Sequence, residues 1–400
     1  MSDWRYVKND GGNGHPLRRF VDRIKPTFSE GGRLSWLHST FEGFETFLFT
    51  PKEVTRQGAH IRDAADLKRS MITVVVALMP ALLFGMWNVG HQYALATGEH
   101  LGWMGEWWFG FIRLLPMIVV SYAVGLGIEF AFAQIRHHDV YEGFLVTGII
   151  IPMIVPISTP LWQLALAVAF AVVIAKEMFG GTGMNFLNPA LVARAFLFFS
   201  YPTHMSGDSV WVSAKHFGDA LSGATPLGEI MTSTASGADG LLQNMSYSMM
   251  DMFVGVIPGS VGETSVVAIL LGAAILLVTG MASWRIMFSV VLGGGLMGLL
   301  FNVIGANAYM QLPFYYHYLM GGFMFGAVFM ATDPVTSAQT NCGKWIYGLL
   351  IGAFAVMLRV LNPAYPEGMM LAILLMNCFA PLIDHCVVAA NINYRKKRMK

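Results

Sequence analysis

A series of apolar blocks, each about 17 to 25 residues long, constrains this chain more than any other feature, because a helix of that length crosses ~30 Å of hydrocarbon. The blocks fall near residues 70–88, 111–134, 143–158, 160–179, 185–200, 264–283, 286–304, 314–331, 344–361 and 368–389. Within a bilayer each backbone N–H and C=O has to be satisfied by the protein itself. The pattern therefore predicts an all-α integral membrane protein with about ten transmembrane helices. The chain is 55% hydrophobic and only 12% charged, against roughly 25% charged in soluble domains. Pro152 and Pro156 interrupt the third block, and Asn185, Asn188, Pro189 and Arg194 fall in the fifth. Both are expected to be broken helices, which need protein or a cavity to cover the freed backbone groups.

Orientation follows from the basic residues rather than from the net charge of +1. Arg62, Lys68 and Arg69 precede the first block, Arg136 follows the second, and Lys176 ends the fourth. Arg285 separates the sixth and seventh, Lys344 opens the ninth, and Arg395, Lys396, Lys397, Arg398 and Lys400 close the chain. If ten blocks alternate across the membrane, all of these lie on one face, which the positive-inside rule makes cytoplasmic. Both termini are then cytoplasmic, and the 201–263 loop, with Lys215 as its only Lys or Arg, faces outward. The first 60 residues lack the apolar core of a signal peptide, so the first block itself directs insertion.

The expected organisation is a cytoplasmic N-terminal segment (1–60), a first membrane half (61–200), the outer loop (201–263), a second membrane half (264–390) and a basic tail (391–400). Residues 35–49, with Trp36, Phe41, Phe44 and Phe47, predict an amphipathic helix lying on the lipid surface. Trp103, Trp107 and Trp108, in a loop over 89–110, predict an interfacial aromatic anchor. Lipid is thus a partner, and no nucleic acid is expected. Cys342, Cys378 and Cys386 form no CxxC pair, and neither a disulfide framework nor a zinc site is assigned.

The two halves resemble one another faintly. Trp162 precedes Lys176, and Trp345 precedes Arg359, by the same interval, and Asn188-Pro189 and Asn362-Pro363 follow. With five blocks per half, a repeat would be inverted across the membrane, the 5+5 arrangement that places transporter sites between broken helices.

Acidic side chains within apolar blocks cost several kcal/mol unless paired or hydrated, which makes Glu129, Asp333 and Asp384 candidates for contact with a cation. Asp333 before Pro334 has a turn cap as its competing reading, and Asp384 a pairing with His385 or the basic tail. The run Gly180-Gly181-Thr182-Gly183-Met184-Asn185-Phe186-Leu187-Asn188-Pro189-Ala190-Leu191 lets a planar ligand approach the backbone. Asn185 and Asn188, three apart, would share a helical face and offer two amides to flavin or quinone carbonyls, with close helix packing as the alternative. No GxGxxG or GxxxxGK[ST] motif occurs, so NADH is not expected to bind this chain. In the outer loop, Asp219-Ala220-Leu221-Ser222-Gly223-Ala224-Thr225 sets a hydroxyl after two residues with almost no side chain. Its backbone could enter another enzyme's active site, although ordinary turns use the same residue types.

Asp219–Thr225, the 180–191 run, Ile257-Pro258-Gly259-Ser260-Val261-Gly262-Glu263, Ala331-Thr332-Asp333-Pro334 and Asn362-Pro363-Ala364-Tyr365-Pro366-Glu367-Gly368 together resemble the B-subunit family of sodium-translocating NADH:quinone oxidoreductases. The likeness runs through essentially the whole chain. Its nearest relative, the D subunit of Rnf ferredoxin:NAD oxidoreductases, lacks a long N-terminal extension. The resemblance implies FMN esterified to Thr225 by a flavin transferase, within a motif that includes Asp219, Ser222, Gly223 and Ala224. It also implies a non-covalent riboflavin among the spans and a ubiquinone site toward the cytoplasm. Glu129, Asp333 and Asp384 match acidic positions linked to sodium handling, and of a quinone-site glycine pair only Gly125 carries over. The implied setting is a bacterial inner membrane, in a complex with subunits A, C, D, E and F, another of which oxidises NADH. An Rnf-type subunit and a plain solute transporter or channel are the alternatives.

Overall fold

A computed structural model describes residues 21, 23–26, 41, 67–136, 143–207, 210–212, 223–235, 245–362 and 367–398. The expected amphipathic helix at 35–49, apart from Phe41, and Asp219, Ser222 and Lys215 lie outside the described residues. The chain divides into two units, one of residues 1–64 with 129–141 and one of 65–128 with 142–400. In the first, the described part includes the last turns of a long helix, where Arg136 lies over the Phe132 ring at 5.2 Å.

The described residues are helical with no strand, as the apolar blocks predict. Helices α1 (Leu67–Thr97), α2 (Gly102–Arg136), α3 (Phe144–Ile154), α4 (Leu161–Phe170) and α5 (Pro189–Ser200) form the first half. A π turn at Ala171–Lys176 and a 3₁₀ turn at Glu177–Phe179 prolong α4. Two short helices, α6 (Pro226–Ala235) and α7 (Met249–Val254), belong to the 201–263 loop. The second half holds α8 (Val266–Val278), α9 (Trp284–Ile304), α10 (Tyr316–Leu319), α11 (Phe323–Phe325) with a π turn at Gly326–Met330, α12 (Asn341–Leu361) and α13 (Met369–Arg398).

Six of these elements are long and apolar enough to cross a membrane. Four of the ten blocks are shorter as helices than as apolar stretches. The third ends at Ile154, because Pro156 biases Val155 to extended backbone. The fifth starts only at Pro189, where the Asn188 side chain caps the first turn by accepting from the Ala190 and Leu191 N–H groups. The sixth spans 13 residues. The eighth breaks into α10, α11 and the π turn around Gly321, whose φ of +61° a side chain would strain. Conversely, the expected 89–110 loop is mostly helix, since α1 and α2 run past their apolar cores. Trp103 and Trp108 stand exposed on the first turns of α2, consistent with an interfacial position.

Small residues set the helix contacts. A Cβ on Gly293 would strike the Leu349 carbonyl, and one on Gly352 the Val290 carbonyl, so α9 and α12 touch backbone to backbone. Gly272 does the same for α8 against the Ala77 carbonyl of α1. The Ser121 hydroxyl donates to the Gly148 carbonyl at 2.8 Å and the Tyr122 hydroxyl to the Leu145 carbonyl at 2.5 Å, fixing α3 on α2. The three cysteines are free and exposed on the surface of the chain rather than filling its interior.

Polar contacts between connections sort into two sets that match ten alternating blocks. At one end Asn88 donates to the Ile257 carbonyl, Ser158 to the Val210 carbonyl, and Arg359 to the His317 carbonyl. At the other, Arg285 donates to the Asn341 side chain, and Asp384 receives bonds from Gln339 and Thr340.

Candidate functional site

The 201–263 loop, the start of α8 and the α12–α13 connection meet around a cavity of about 270 Å³. Its wall includes Thr225, Trp211 and Met205, together with the charged side chains of Arg194, Glu263 and Glu367. Thr225 is half-buried and is the N-cap of α6, its Oγ1 accepting from the Gly228 N–H at 3.1 Å. Pro226 at the first helical position has no N–H to satisfy, and its fixed φ suits a helix start. Free N–H groups and the positive end of the helix dipole then face the same space as the threonine hydroxyl.

Beneath this lies a buried ion network. The Arg194 guanidinium, on α5, donates through Nη1 to Glu263 at 2.5 Å and through Nη2 to Glu367 at 2.6 Å. Glu263 also accepts from the Ser260 hydroxyl at 2.5 Å. Arg359, fully buried on α12, donates through Nε to the Glu367 backbone carbonyl at 2.9 Å and through Nη1 to the His317 carbonyl at 2.6 Å. Two cations face two carboxylates, which is how charges of this kind are tolerated in a dry interior. Gly322 makes room for them, since a Cβ there would collide with the Glu263 carboxylate. In sequence Arg194 reads only as a break in a span, Arg359 as the marker of a repeat, and Glu263 and Glu367 as motif letters. The usable signal is the cost of an arginine inside each of two apolar helices, which obliges a buried acidic partner.

The other expected site residues are dispersed. Asn185 and Asn188 do not share a helical face: both precede α5, where Asn185 donates to the Leu187 carbonyl at 3.0 Å and Asn188 is spent on the cap. The glycines before them, at positive φ, turn the chain instead of opening a helix. The space a side chain at Gly125 would need is filled by the Phe144 ring. Asp333 accepts from the Val335 N–H at 3.2 Å and the Thr336 hydroxyl at 3.0 Å, the turn-capping role. Asp384 pairs with neither His385 nor the tail in these bonds; it accepts from the Gln339 N–H (2.7 Å), the Thr340 N–H (3.0 Å) and the Thr340 hydroxyl (2.5 Å) at the start of α12. Glu129 is buried within α2. Among the described residues no three His, Cys, Asp or Glu side chains gather as a metal site. Lys176, ending the π turn, and Glu177, opening the 3₁₀ turn, are both buried, with the lysine 5.7 Å from the Phe144 ring centre.

The chain is 47% identical to the B subunit of the Na(+)-translocating NADH-quinone reductase of Chromohalobacter salexigens, over 96% of each protein. It is 47% identical to the protein of that name from Ectopseudomonas mendocina and 46% identical to that from Azotobacter vinelandii, covering 96% of this chain and 99% of each relative. Its residues 54–393 match the NQR2, RnfD, RnfE family, a stretch that runs from before α1 into the last turns of α13 and takes in the residues that line the cavity. The chain belongs to the NQR2, RnfD, RnfE family.

Proposed function

We propose that this chain is the B-type membrane subunit of a sodium-translocating NADH:quinone reductase, carrying FMN esterified through its phosphate to Thr225 and relaying electrons through riboflavin to ubiquinone. The observation that carries the flavin reading is the Thr225 hydroxyl, held at a helix N-terminus on the edge of a cavity that also contains an aromatic ring and a buried guanidinium. The cavity is only slightly smaller than the roughly 300–1,000 Å³ usual for small-molecule sites. Those residues fit a phosphate ester: the first turn of α6 favours an anion, while Gly223 and Ala224 leave the backbone accessible to a transferase. FMN bound there supplies one-electron redox chemistry. Thr225 would anchor it, the α6 N-terminus would offset phosphate charge, and Trp211, Met205 and Leu227, which line the cavity, would shield it from water. Peptide mass spectrometry over 216–230 tests the reading; an unmodified Thr225 in active complex overturns it.

The outer-face placement of Thr225 is part of the proposal, supported by the two sets of polar contacts and by the basic residues. A reporter active only outside the cytoplasm is expected to work when fused after Gly237 and to fail after Arg285 or at Lys400. Activity at all three, or at the last two alone, refutes the topology. The remaining partners, subunits A, C, D, E and F and the flavin transferase, and the bacterial inner-membrane location rest on the same reading.

For sodium, Glu129 ranks first of the three acids because it is buried within an apolar helix, where a carboxylate is costly; Asp333 caps its own turn and Asp384 holds the start of α12. Asp384→Ala is expected to cost about 1 kcal/mol through the lost start of α12 and to lower assembled complex while sparing the sodium activation curve. Glu129→Ala is expected to flatten that curve at normal assembly. Quinone-reductase rate against Na⁺ concentration, with flavin content checked, decides between them; a wild-type curve for Glu129→Ala removes it from the cation path.

A further inference from the structure

The cavity wall contains two carboxyl groups that one small residue brings together. A Cβ on Gly322 would meet the Glu263 carboxylate and lie 3.1 Å from Glu367 Oε1, so the two acids converge on the same point. Arg194 grips one oxygen of each and so holds the two carboxyl groups side by side. Two carboxylates held this close repel each other, and one proton on the pair relieves that repulsion. Glu367 remains 18% exposed and Glu263 is 7% exposed, and both line the cavity. Beside them the Thr264 hydroxyl, 3% exposed and lining the same cavity, has no hydrogen-bond partner. A hydroxyl in that position can accept or pass a proton.

We propose that the Glu263–Glu367 pair is a proton-holding site in the wall of the Thr225 cavity, loaded with one proton from outside water when an electron enters the cavity. The proposal rests on the reading that flavin on Thr225 occupies this space. The electron comes from a flavin or iron–sulfur donor of the complex. An O–H bond forms on a carboxylate oxygen, a hydronium ion loses that proton, and no other bond changes. The physical reason is charge balance: negative charge added to a dry cavity is costly, and a proton on the adjacent pair neutralises it.

The charged and titratable groups facing the pair are Arg194 from α5 and Arg359 from α12, with His317 and Tyr309 beyond Arg359. Arg194, Glu263 and Glu367 are the charged side chains that line the cavity among the described residues. Burial raises the Glu367 carboxyl well above the usual carboxylate range, Arg194 and Arg359 pull it back, and Glu263 raises it further. Negative charge in the cavity acts in the same direction as Glu263.

The test uses purified complex. Infrared difference spectra between the oxidised and dithionite-reduced states are expected to show a protonated-carboxyl band growing on reduction, and losing intensity in both Glu263→Gln and Glu367→Gln. The midpoint potential of the covalent flavin is expected to lose up to about 59 mV of its fall per pH unit in either variant, the value for one proton per electron. A structural role alone would lower yield without moving that slope. Variants that keep both the band and the slope overturn the proposal. If Glu367→Gln does not assemble, Glu367→Asp, which withdraws the carboxyl from Glu263 while keeping its charge, replaces it. Absence of flavin on Thr225 defeats the underlying reading; a pH titration of the oxidised protein by infrared then still decides the pair, since a band absent from the wild type overturns it.

Discussion

Thr225→Ala is expected to abolish the covalent flavin of this subunit and, with it, quinone reduction by the complex. The ester needs a hydroxyl, and Pro226 on one side and Ala224 on the other provide none. The substitution also removes the cap of α6, which costs about 1 kcal/mol. That helix has ten residues outside the membrane blocks, so the subunit is expected to remain inserted and assembled. Thr225→Ser keeps both the hydroxyl and the cap, and is expected to retain part of the flavin. In-gel fluorescence after denaturing electrophoresis reads the result directly. An unchanged fluorescent band in Thr225→Ala would show that the flavin is attached elsewhere.

Loss of Arg194 is expected to have the largest effect on stability. Arg194→Met leaves two buried carboxyl groups without the cation that bridges them, a change that costs roughly 3–5 kcal/mol in comparable sites. The damage spreads beyond α5, because the bridged groups belong to the segment before α8 and the connection before α13. Arg194→Lys keeps the charge but loses the fork that reaches both acids at once, so an intermediate loss is expected. Thermal unfolding of the purified complex, with subunit content checked, measures both variants. A wild-type midpoint for Arg194→Met would mean that the network contributes little to holding the cavity together.

The two variants also separate two roles within one site. Thr225 is expected to govern cofactor content at little structural cost, whereas Arg194 is expected to govern the shape of the cavity in which the cofactor sits. Flavin content per assembled subunit distinguishes them, falling to zero in the first and following assembly in the second.

Much of the architecture was written in the spacing of apolar residues. An all-α membrane protein follows from blocks of hydrocarbon-spanning length, because lipid allows the backbone no other open solution. The polar contacts among the connections group as alternating blocks would, even where a block is a short or broken helix. Asp333 as a turn cap was also legible, from the proline that follows it. Block length, however, counts apolar residues and not hydrogen-bonded turns. It overstated the helices ended by Pro156, begun by the Asn188 cap and broken at Gly321, and it missed the helical ends of α1 and α2.

Thr225 is a candidate legible from local pattern, since the small residues that flank its hydroxyl are its neighbours along the chain. The network beneath it could not be found that way. Arg194, Glu263, Arg359 and Glu367 are far apart in the chain, and no periodicity links them. The fold class was legible in the residues alone, since it depends on composition and on neighbours along the chain. It took the packed fold to fix which charges share a cavity, that Asn185 and Asn188 serve as a local tie and a cap, that Asp384 ties α13 to the start of α12, and that Phe144 fills the space at Gly125. The shared cavity depends on close approach between distant segments, which small residues such as Gly322 permit and which the energy of a buried charge then makes obligatory.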